Sequence, residues 1–210
     1  SPALAYTWRM KIYLARHGQS RWQVERNDGD WDSPLTDLGQ RQAQLLGTWL
    51  ATNARLDNGS RVEVGCIRVS PMKRAQETAV PLTQALNCTA QTDAFLREAD
   101  FYVSGHLPSS ESPYQAMPDF IPSRIYAAFK QQAQAALYAL VADAEASAKP
   151  ALGISHGGLI STILRLATGS DTVSFWVYNT SLNVLEWKRG RWHLVHLNLW
   201  DHLPPNWRTF

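Results

Sequence analysis

The sequence has little cysteine, no long apolar run and no block of like charge. Its two cysteines, Cys66 and Cys88, lack the spacing of a metal or redox pair, so we expect two buried or half-buried thiols. No apolar run is as long as a membrane span, and residues 1–9 contain no secretory hydrophobic segment. Sparse cysteine is compatible with a reducing compartment, and we predict a cytoplasmic protein that binds no membrane.

The overall charge is close to balanced. The formal net charge is +2, and no run of five or more basic residues occurs, which predicts that nucleic acid is not a partner. Neither an internal repeat nor a low-complexity linker divides the chain. We therefore expect residues 1–210 to form a single domain, whose 45% hydrophobic content is sufficient for a buried core.

Short β-prone segments alternate with helical patterns along the chain. This alternation predicts an α/β fold, in the form of a three-layer α/β/α sandwich around a mostly parallel sheet. Ser70 is expected to cap a helix with Pro71 at its first position, and Ser123 to cap a later, long helix. The predicted strands span residues 11–15, 62–69, 90–95, 150–154, 181–187 and 192–197, and the predicted helices start near 37, 71 (to about 86), 124 and 157 (to about 168).

Residues 100–122 differ from the rest of the chain. Four prolines and several serines in this segment exclude a long regular element. We expect a lid-like insertion that sets substrate specificity. Tyr102, His106 and Tyr114 are candidates for lining the entrance to a substrate site.

Polar residues follow three of the predicted strands at their carboxyl ends, where open α/β sheets collect their ligand sites. The first group is Arg16-His17-Gly18. The planar guanidinium of Arg16 offers a fork of donors that matches phosphate oxygens. Gly18 is expected to let the backbone approach a ligand closely.

The second and third groups open helices. A helix start at 70–74 would direct free backbone N–H groups toward an anion, and Arg74 in its first turn would add a second fork of donors. At Ser155-His156-Gly157, a second histidine lies at another strand-to-helix turn. Two histidines and two arginines at one edge of the sheet together predict a pocket for a dianion.

Seven segments also resemble one known family in the order in which that family carries them, from about residue 12 to 203. It is the histidine phosphatase superfamily, which includes the cofactor-dependent phosphoglycerate mutases. The segments that carry the resemblance are LARHGQSRWQ, DSPLTDLGQRQA, SPMKRAQETA, FLREADF, SHGGLI, NTSLNVLEW and LNLWDHL.

This resemblance implies a mechanism. His17 would attack phosphorus as a neutral imidazole and become phosphohistidine. Arg16, Arg74 and His156 would hold the equatorial oxygens, where charge spreads during transfer. Glu98 would protonate the leaving oxygen and then activate water. No metal or other cofactor is implied, and the expected partner is a small phosphorylated substrate.

Two further residues are assigned to phosphate binding, and two others are alternatives for the acid. Gln23 stands where the mutase motif usually has asparagine and can still donate an amide N–H to phosphate, while Gly157 opens the last helix. Because the residues after Glu98 depart from the family's pattern, Asp100 and Glu111 are kept as alternative acids.

These observations together predict a metal-independent phosphatase that acts on small phosphomonoesters. SHGGLI and NTSL resemble the phosphatase branch of the family more than the mutase branch. A phosphoglycerate mutase is the alternative, and an inactive phosphate-binding domain is a third possibility.

Two other sequence patterns have some features of metal sites. The alternating acids of Asp28 to Asp32 resemble a calcium loop but lack its glycine and its final glutamate. His193, His196 and His202 have no clear zinc spacing and are expected to be structural.

Overall fold

The computed structural model describes residues 9–25, 30–56, 58–117 and 119–210. Within them, six strands form one sheet in the order β3-β2-β4-β1-β5-β6. Strands β1 to β4 are parallel to one another, whereas β5 is antiparallel to β1 and forms a hairpin with β6. The strands are β1 (Arg9–Arg16), β2 (Cys66–Val69), β3 (Ala90–Thr92), β4 (Ala151–Ser155), β5 (Leu182–Lys188) and β6 (Arg191–Leu199).

Helices cover both faces of the sheet. Since successive side chains of a strand point to opposite faces, Ile12 and Leu14 of β1 pack with α4 and α5, while Tyr13 and Ala15 pack with α2 and α3. The predicted three-layer α/β/α sandwich is therefore confirmed. The helices are α1 (Arg21–Glu25), α2 (Asp37–Thr52), α3 (Lys73–Leu86), α4 (Arg124–Ser147) and α5 (Gly157–Thr168).

Most element boundaries agree with the prediction because the signals for them are local. Thr36 caps α2 by accepting a hydrogen bond from the Gly39 amide at 3.0 Å. Ser123 caps α4 in the same way, accepting from the Tyr126 amide. The terminal hairpin turns between Lys188 and Arg191, as predicted.

Two strands are shorter than predicted. The second was expected from residue 62 but starts at Cys66, because its partner β4 begins at Ala151, directly opposite. The third was expected to reach residue 95 but ends at Thr92. Beyond Thr92 the Asp93 carboxylate accepts from the Phe95 amide, which turns the chain into a short 3-10 helix.

The start of α3 also differs from the prediction. Ser70 and Pro71 precede the helix, and Met72 is the residue at its N-cap. The first amide of α3, that of Lys73, donates to the Asp32 carboxylate at 2.7 Å. The Ser70 hydroxyl accepts from the Met72 amide at 3.3 Å and also lies 2.7 Å from Nε2 of His156.

The 100–122 segment contains one short 3-10 helix, Val103–His106, and is otherwise irregular where it is described; Pro118 lies outside the described residues.

Cys66 and Cys88 are half-buried free thiols, as expected, and burial raises the pKa of both. No helix in the described ranges is both long and apolar enough to cross a membrane.

Candidate active site

The three predicted groups of residues meet at one pocket at the carboxyl ends of the parallel strands, although the third group contributes Gly157 and not His156 to its wall. The pocket has a volume of about 730 Å³. Its wall includes four of the charged or histidine side chains identified from the sequence, which are Arg16, His17, Arg74 and Glu98. The sheet therefore brings together residues that are as far apart in sequence as Arg16 and Glu98.

His17 is 3% exposed, and both of its ring nitrogens have partners. Nε2 lies 3.1 Å from Nε of Arg74, and Nδ1 lies 2.6 Å from the Gly18 carbonyl oxygen. Because a guanidinium only donates, Nε2 must be the accepting nitrogen, and Nδ1 carries the proton. Burial, with the positive charges of Arg74 and Arg16 and the neighbouring His156, lowers the pKa of His17 well below its ordinary value. His17 is thus a neutral imidazole with its lone pair on Nε2.

Arg16 and Arg74 supply positive charge close to His17. Arg16 donates from Nη1 to the Val177 carbonyl at 2.6 Å, while its buried Nε has no partner in the described part of the chain. Burial lowers the pKa of Arg16 to about 10, which still leaves it protonated at neutral pH. Arg74 donates from Nη1 to the Trp31 carbonyl, and its guanidinium lies 5.3 Å from the centre of the Trp31 ring.

His156 lies behind His17, with the two ring centres 5.1 Å apart, and it does not form part of the pocket wall. It is fully buried, which together with the charges of Arg74 and Arg16 lowers its pKa well below the ordinary value. Its Nε2 is 2.7 Å from the Ser70 hydroxyl, and its Nδ1 has no partner among the described residues. Ser70 thus orients the second histidine.

Glu98 is held at the first turn of α5. Its carboxylate accepts from the amides of Gly158 (2.9 Å), Leu159 (3.0 Å) and Ala99 (3.1 Å). Burial raises the pKa of Glu98 above its ordinary value, although these amides and the nearby arginines oppose that rise. The alternative acids, Asp100 and Glu111, are exposed and lie outside the pocket wall.

Comparison with known proteins assigns the family. A family model described as the histidine phosphatase superfamily (branch 1) matches residues 12–199. The chain belongs to this superfamily. This match confirms the family membership that the sequence motifs had indicated, and the structure adds the geometry of the site.

Relatives of this chain carry the names of two different activities. A probable phosphoglycerate mutase, GpmB of Klebsiella pneumoniae subsp. pneumoniae, is 28% identical over 212 residues, which cover 87% of each chain. YhfR of Bacillus stearothermophilus is 24% identical with a TM-score of 0.69, covering 92% of this chain and 98% of its own. A mycobacterial glucosyl-3-phosphoglycerate phosphatase is 22% identical with a TM-score of 0.63, covering 91% and 99%. At these identities the two structures show a shared fold.

Two expectations about anion binding were wrong. The first amide of α3 was expected to face an anion from a substrate, but the Asp32 carboxylate already occupies it. Gly18 was expected to allow close approach of a ligand. It instead packs against α2, where a Cβ at residue 18 would lie 2.4 Å from the Gly39 carbonyl oxygen.

Gln23 and Gly157 both line the pocket, as predicted for phosphate-binding residues. The Gln23 amide exchanges two hydrogen bonds with the amide of Asn179, at 3.0 and 3.1 Å. Gly157 lies against Arg16, with an ideal Cβ position 3.5 Å from the guanidinium carbon. The phosphate-binding role of each remains a prediction.

Sequence reasoning missed the role of Asn179. This fully buried side chain donates to the His17 carbonyl at 2.8 Å and accepts from the Thr209 hydroxyl at 2.8 Å. It therefore ties the backbone at His17 to Gln23 and to the C-terminal segment. The signal was a polar run, Asn179-Thr180-Ser181, immediately before a strand that is otherwise buried.

Of the three residues proposed to line the entrance, Tyr102 lines the pocket, whereas His106 and Tyr114 do not. His106 instead contacts the ring of Phe101 edge-on and hydrogen-bonds Ser123. Aromatic side chains form much of the pocket wall, namely Trp22, Trp31, Phe101, Tyr102, Phe175, Trp176 and Phe210.

The two sequence patterns that have features of metal sites form no cluster of metal ligands among the described residues. Residues 9–25, 30–56, 58–117 and 119–210 contain no group of three or more His, Cys, Asp or Glu side chains that could hold a metal ion. His202 stacks on Trp49 with ring centres 5.2 Å apart. In the acidic loop, Asp30 forms an ion pair with Lys73, while Asp28 lies outside the described residues.

Proposed function

We propose that this protein hydrolyses phosphomonoesters through a phosphohistidine at His17, without a metal. The geometry at His17 carries the proposal, because a neutral imidazole presents an Nε2 lone pair in a pocket that is also lined by two guanidinium groups. The partner is a small phosphorylated substrate rather than a nucleic acid or a membrane. The two free thiols suit the cytoplasmic location that we also propose.

In the first step, Nε2 of His17 forms a bond to phosphorus while the ester P–O bond breaks. The Nε–H of Arg74 must leave Nε2 before attack and turn to a phosphoryl oxygen, so the same donor that orients the nucleophile then stabilises the charge on the phosphoryl group. The unpartnered Nε of Arg16 supplies a second donor. In this way two arginines provide the positive charge.

Glu98 acts as the acid and then as the base. Its raised pKa favours a protonated carboxyl, which gives its proton to the leaving oxygen. The amides of Gly158 and Leu159 then stabilise the carboxylate that results. In the second step this carboxylate takes a proton from water, the water oxygen attacks phosphorus, and the bond to His17 breaks to release phosphate.

The other predicted site residues support the phosphoryl group. With the Ser70 hydroxyl donating to Nε2 of His156, Nδ1 of that ring carries a proton. Because the ring lies 5.1 Å from that of His17 but outside the pocket wall, this N–H serves a phosphoryl oxygen only once the phosphoryl group is bonded to His17. Gln23 has a second amide N–H for the same purpose, and Gly157 contributes its backbone N–H. Asn179 acts by positioning His17 and Gln23.

A phosphoglycerate mutase is the second candidate, and the similarity to GpmB favours it. A mutase must protect the phosphohistidine from water and return the phosphoryl group to the same substrate. A pocket of about 730 Å³ is much larger than a phosphoglycerate and leaves room for water beside it. The pocket therefore favours hydrolysis.

The test is phosphate release from a panel of phosphomonoesters in the presence of EDTA. Wild type is compared with His17→Ala and with His106→Ala, a histidine outside the pocket. We expect release by wild type and His106→Ala and none by His17→Ala. Isomerisation of 3-phosphoglycerate with a bisphosphate primer that is faster than phosphate release would identify a mutase. Phosphate binding without either reaction would identify a binding domain.

A further inference from the structure

Arg165 is a buried cation in the pocket wall for which the proposed mechanism has no use. Its side chain belongs to the last turn of α5 and is 3% exposed. The pocket that contains His17 reaches it. A guanidinium is costly to bury unless its charge is compensated, so its partners indicate what it serves.

The partners of Arg165 compensate its charge only in part. Its guanidinium carbon lies 5.9 Å from the centre of the Tyr126 ring. It donates from Nε to the Tyr126 hydroxyl at 3.0 Å and from Nη2 to the Thr162 hydroxyl at 2.9 Å, both neutral groups. Nη1 has no hydrogen bond to the part of the chain that the structure describes. Beyond Tyr126 lies one carboxylate, Asp171, which also accepts from Lys130 at 2.6 Å. Two cations thus share one carboxylate, and one positive charge remains beside the pocket.

The position of Arg165 along α5 sets the length of molecule that could reach it. Gly157, Ser161 and Arg165 follow each other at intervals of four, on one face of the helix, and all three line the pocket. Eight residues of helix rise about 12 Å. Helical side chains tilt toward the N-terminus, and Arg165 reaches back to Thr162. Its guanidinium therefore lies somewhat less than about 12 Å from the end of the pocket where the phosphate would bind.

Resting on the proposed hydrolysis at His17, we propose that Arg165 binds a second anionic group on the leaving-group side of the substrate. The substrate class is then a phosphomonoester whose alcohol carries a carboxylate, or another oxyanion, several bonds from the ester oxygen. The aromatic and aliphatic side chains of the same pocket, such as Phe175 and Val177, suit an apolar linker between the two charges. Arg165 is therefore a specificity-determining residue.

The test uses pairs of substrates that differ only in charge. Phosphate esters of ω-hydroxycarboxylic acids with different chain lengths are compared with the esters of the matching neutral carboxamides. We expect wild type to prefer the carboxylate by about tenfold or more in kcat/KM at one chain length, as a charge-assisted hydrogen bond requires. Arg165→Gln should remove this preference while changing turnover of the carboxamide ester less than about twofold.

Two further variants separate recognition from a structural role. Arg165→Lys should keep part of the preference because it keeps the charge. Arg55→Gln makes the same change in net charge at an exposed site outside the pocket and should keep all of it. An equal loss for both esters in Arg165→Gln would show that Arg165 only ties α5 to α4 through Tyr126. Equal use of both esters by wild type would overturn the proposal.

The corresponding phosphonates keep this test independent of hydrolysis. They lack the ester oxygen and are bound without being cleaved, so their Kd values can be measured by calorimetry. If wild type releases phosphate from no ester, the proposed function fails. The role of Arg165 is still supported in that case if wild type binds the carboxylate phosphonate with a lower Kd than the neutral phosphonate and Arg165→Gln abolishes this difference. Equal Kd values for the charged and neutral phosphonates contradict it.

Discussion

Nε of Arg74 lies 3.1 Å from Nε2 of His17, so a cation and the proposed nucleophile share a hydrogen bond. This contact fixes the neutral tautomer of the ring and places a positive charge where a phosphoryl group would arrive. The guanidinium is further held by the Trp31 carbonyl at 2.7 Å. Orientation of the nucleophile and charge stabilisation thus depend on a single side chain.

Replacing Arg74 by lysine keeps the charge but removes the planar fork. We expect kcat/KM for nitrophenyl phosphate to fall about 10²-fold, as is typical when one preorganised donor to a developing charge is lost. Arg41→Lys, outside the pocket, is the matched control and should be near wild type. Normal activity in Arg74→Lys would show that the fork has no part in catalysis.

Glu98→Gln should discriminate between leaving groups. A poor alkoxide leaving group needs the proton from Glu98, so kcat/KM, which reports the steps up to departure of the leaving group, should fall by about 10²–10⁴-fold for an alkyl ester. Nitrophenolate leaves with little assistance, so kcat/KM for nitrophenyl phosphate should change much less. The pKa of Glu98 is raised, so in wild type the acid form is present below that raised value and is lost as pH rises through it. The pH profile for an alkyl ester should lose this alkaline decline in Glu98→Gln. Equal losses for both ester types would argue against the acid role.

Gly158→Ala should displace Glu98 without unfolding the protein. A Cβ at residue 158 would lie 2.6 Å from the Glu98 Oε1, and the end of that flexible side chain can move. We expect the variant to reproduce the leaving-group pattern of Glu98→Gln while its Tm stays within a few degrees of wild type. Gly105→Ala, where the nearest atom is 4.0 Å away, is the control. Full activity of Gly158→Ala on alkyl esters would contradict the placement of Glu98.

The buried histidines should make stability depend on pH. The pKa values of His17 and His156 are lowered, so below the ordinary value of about 6.5 the unfolded chain binds protons that the folded protein excludes. Their contribution to the unfolding free energy is complete above that pH and decreases as pH falls, by up to about 1.4 kcal/mol per pH unit for each ring. Urea unfolding of wild type and His17→Gln between pH 5 and pH 8 should show a shallower acid decline in the variant. Parallel curves would mean that His17 titrates normally.

Local signals predicted much of the fold. The core of β1 is a short β-prone segment, and Ser123 was a recognisable cap because the amide from which it accepts lies three residues away. The convergence of Arg16, His17 and Arg74 followed from the rule that sites form at the carboxyl ends of parallel strands.

The remainder depends on contacts between distant residues. Ser70 could cap a helix or bind a remote partner, and only the folded sheet shows that its partner is His156. Asn179 was missed because its target, His17, lies 162 positions earlier. Gly18 was assigned to a ligand because its actual neighbour, Gly39, belongs to α2, a later element of the chain.

The most direct test of the account is to trap the phosphoenzyme. Glu98→Gln is mixed with nitrophenyl phosphate, quenched in alkali, where phosphohistidine survives, digested and analysed by mass spectrometry. Because the first step tolerates a good leaving group while water is no longer activated, we expect a burst of nitrophenol and a phosphoryl group on the peptide that contains His17. A burst with the phosphoryl group on another residue, or with no modified peptide, would contradict the assignment of His17 as the nucleophile.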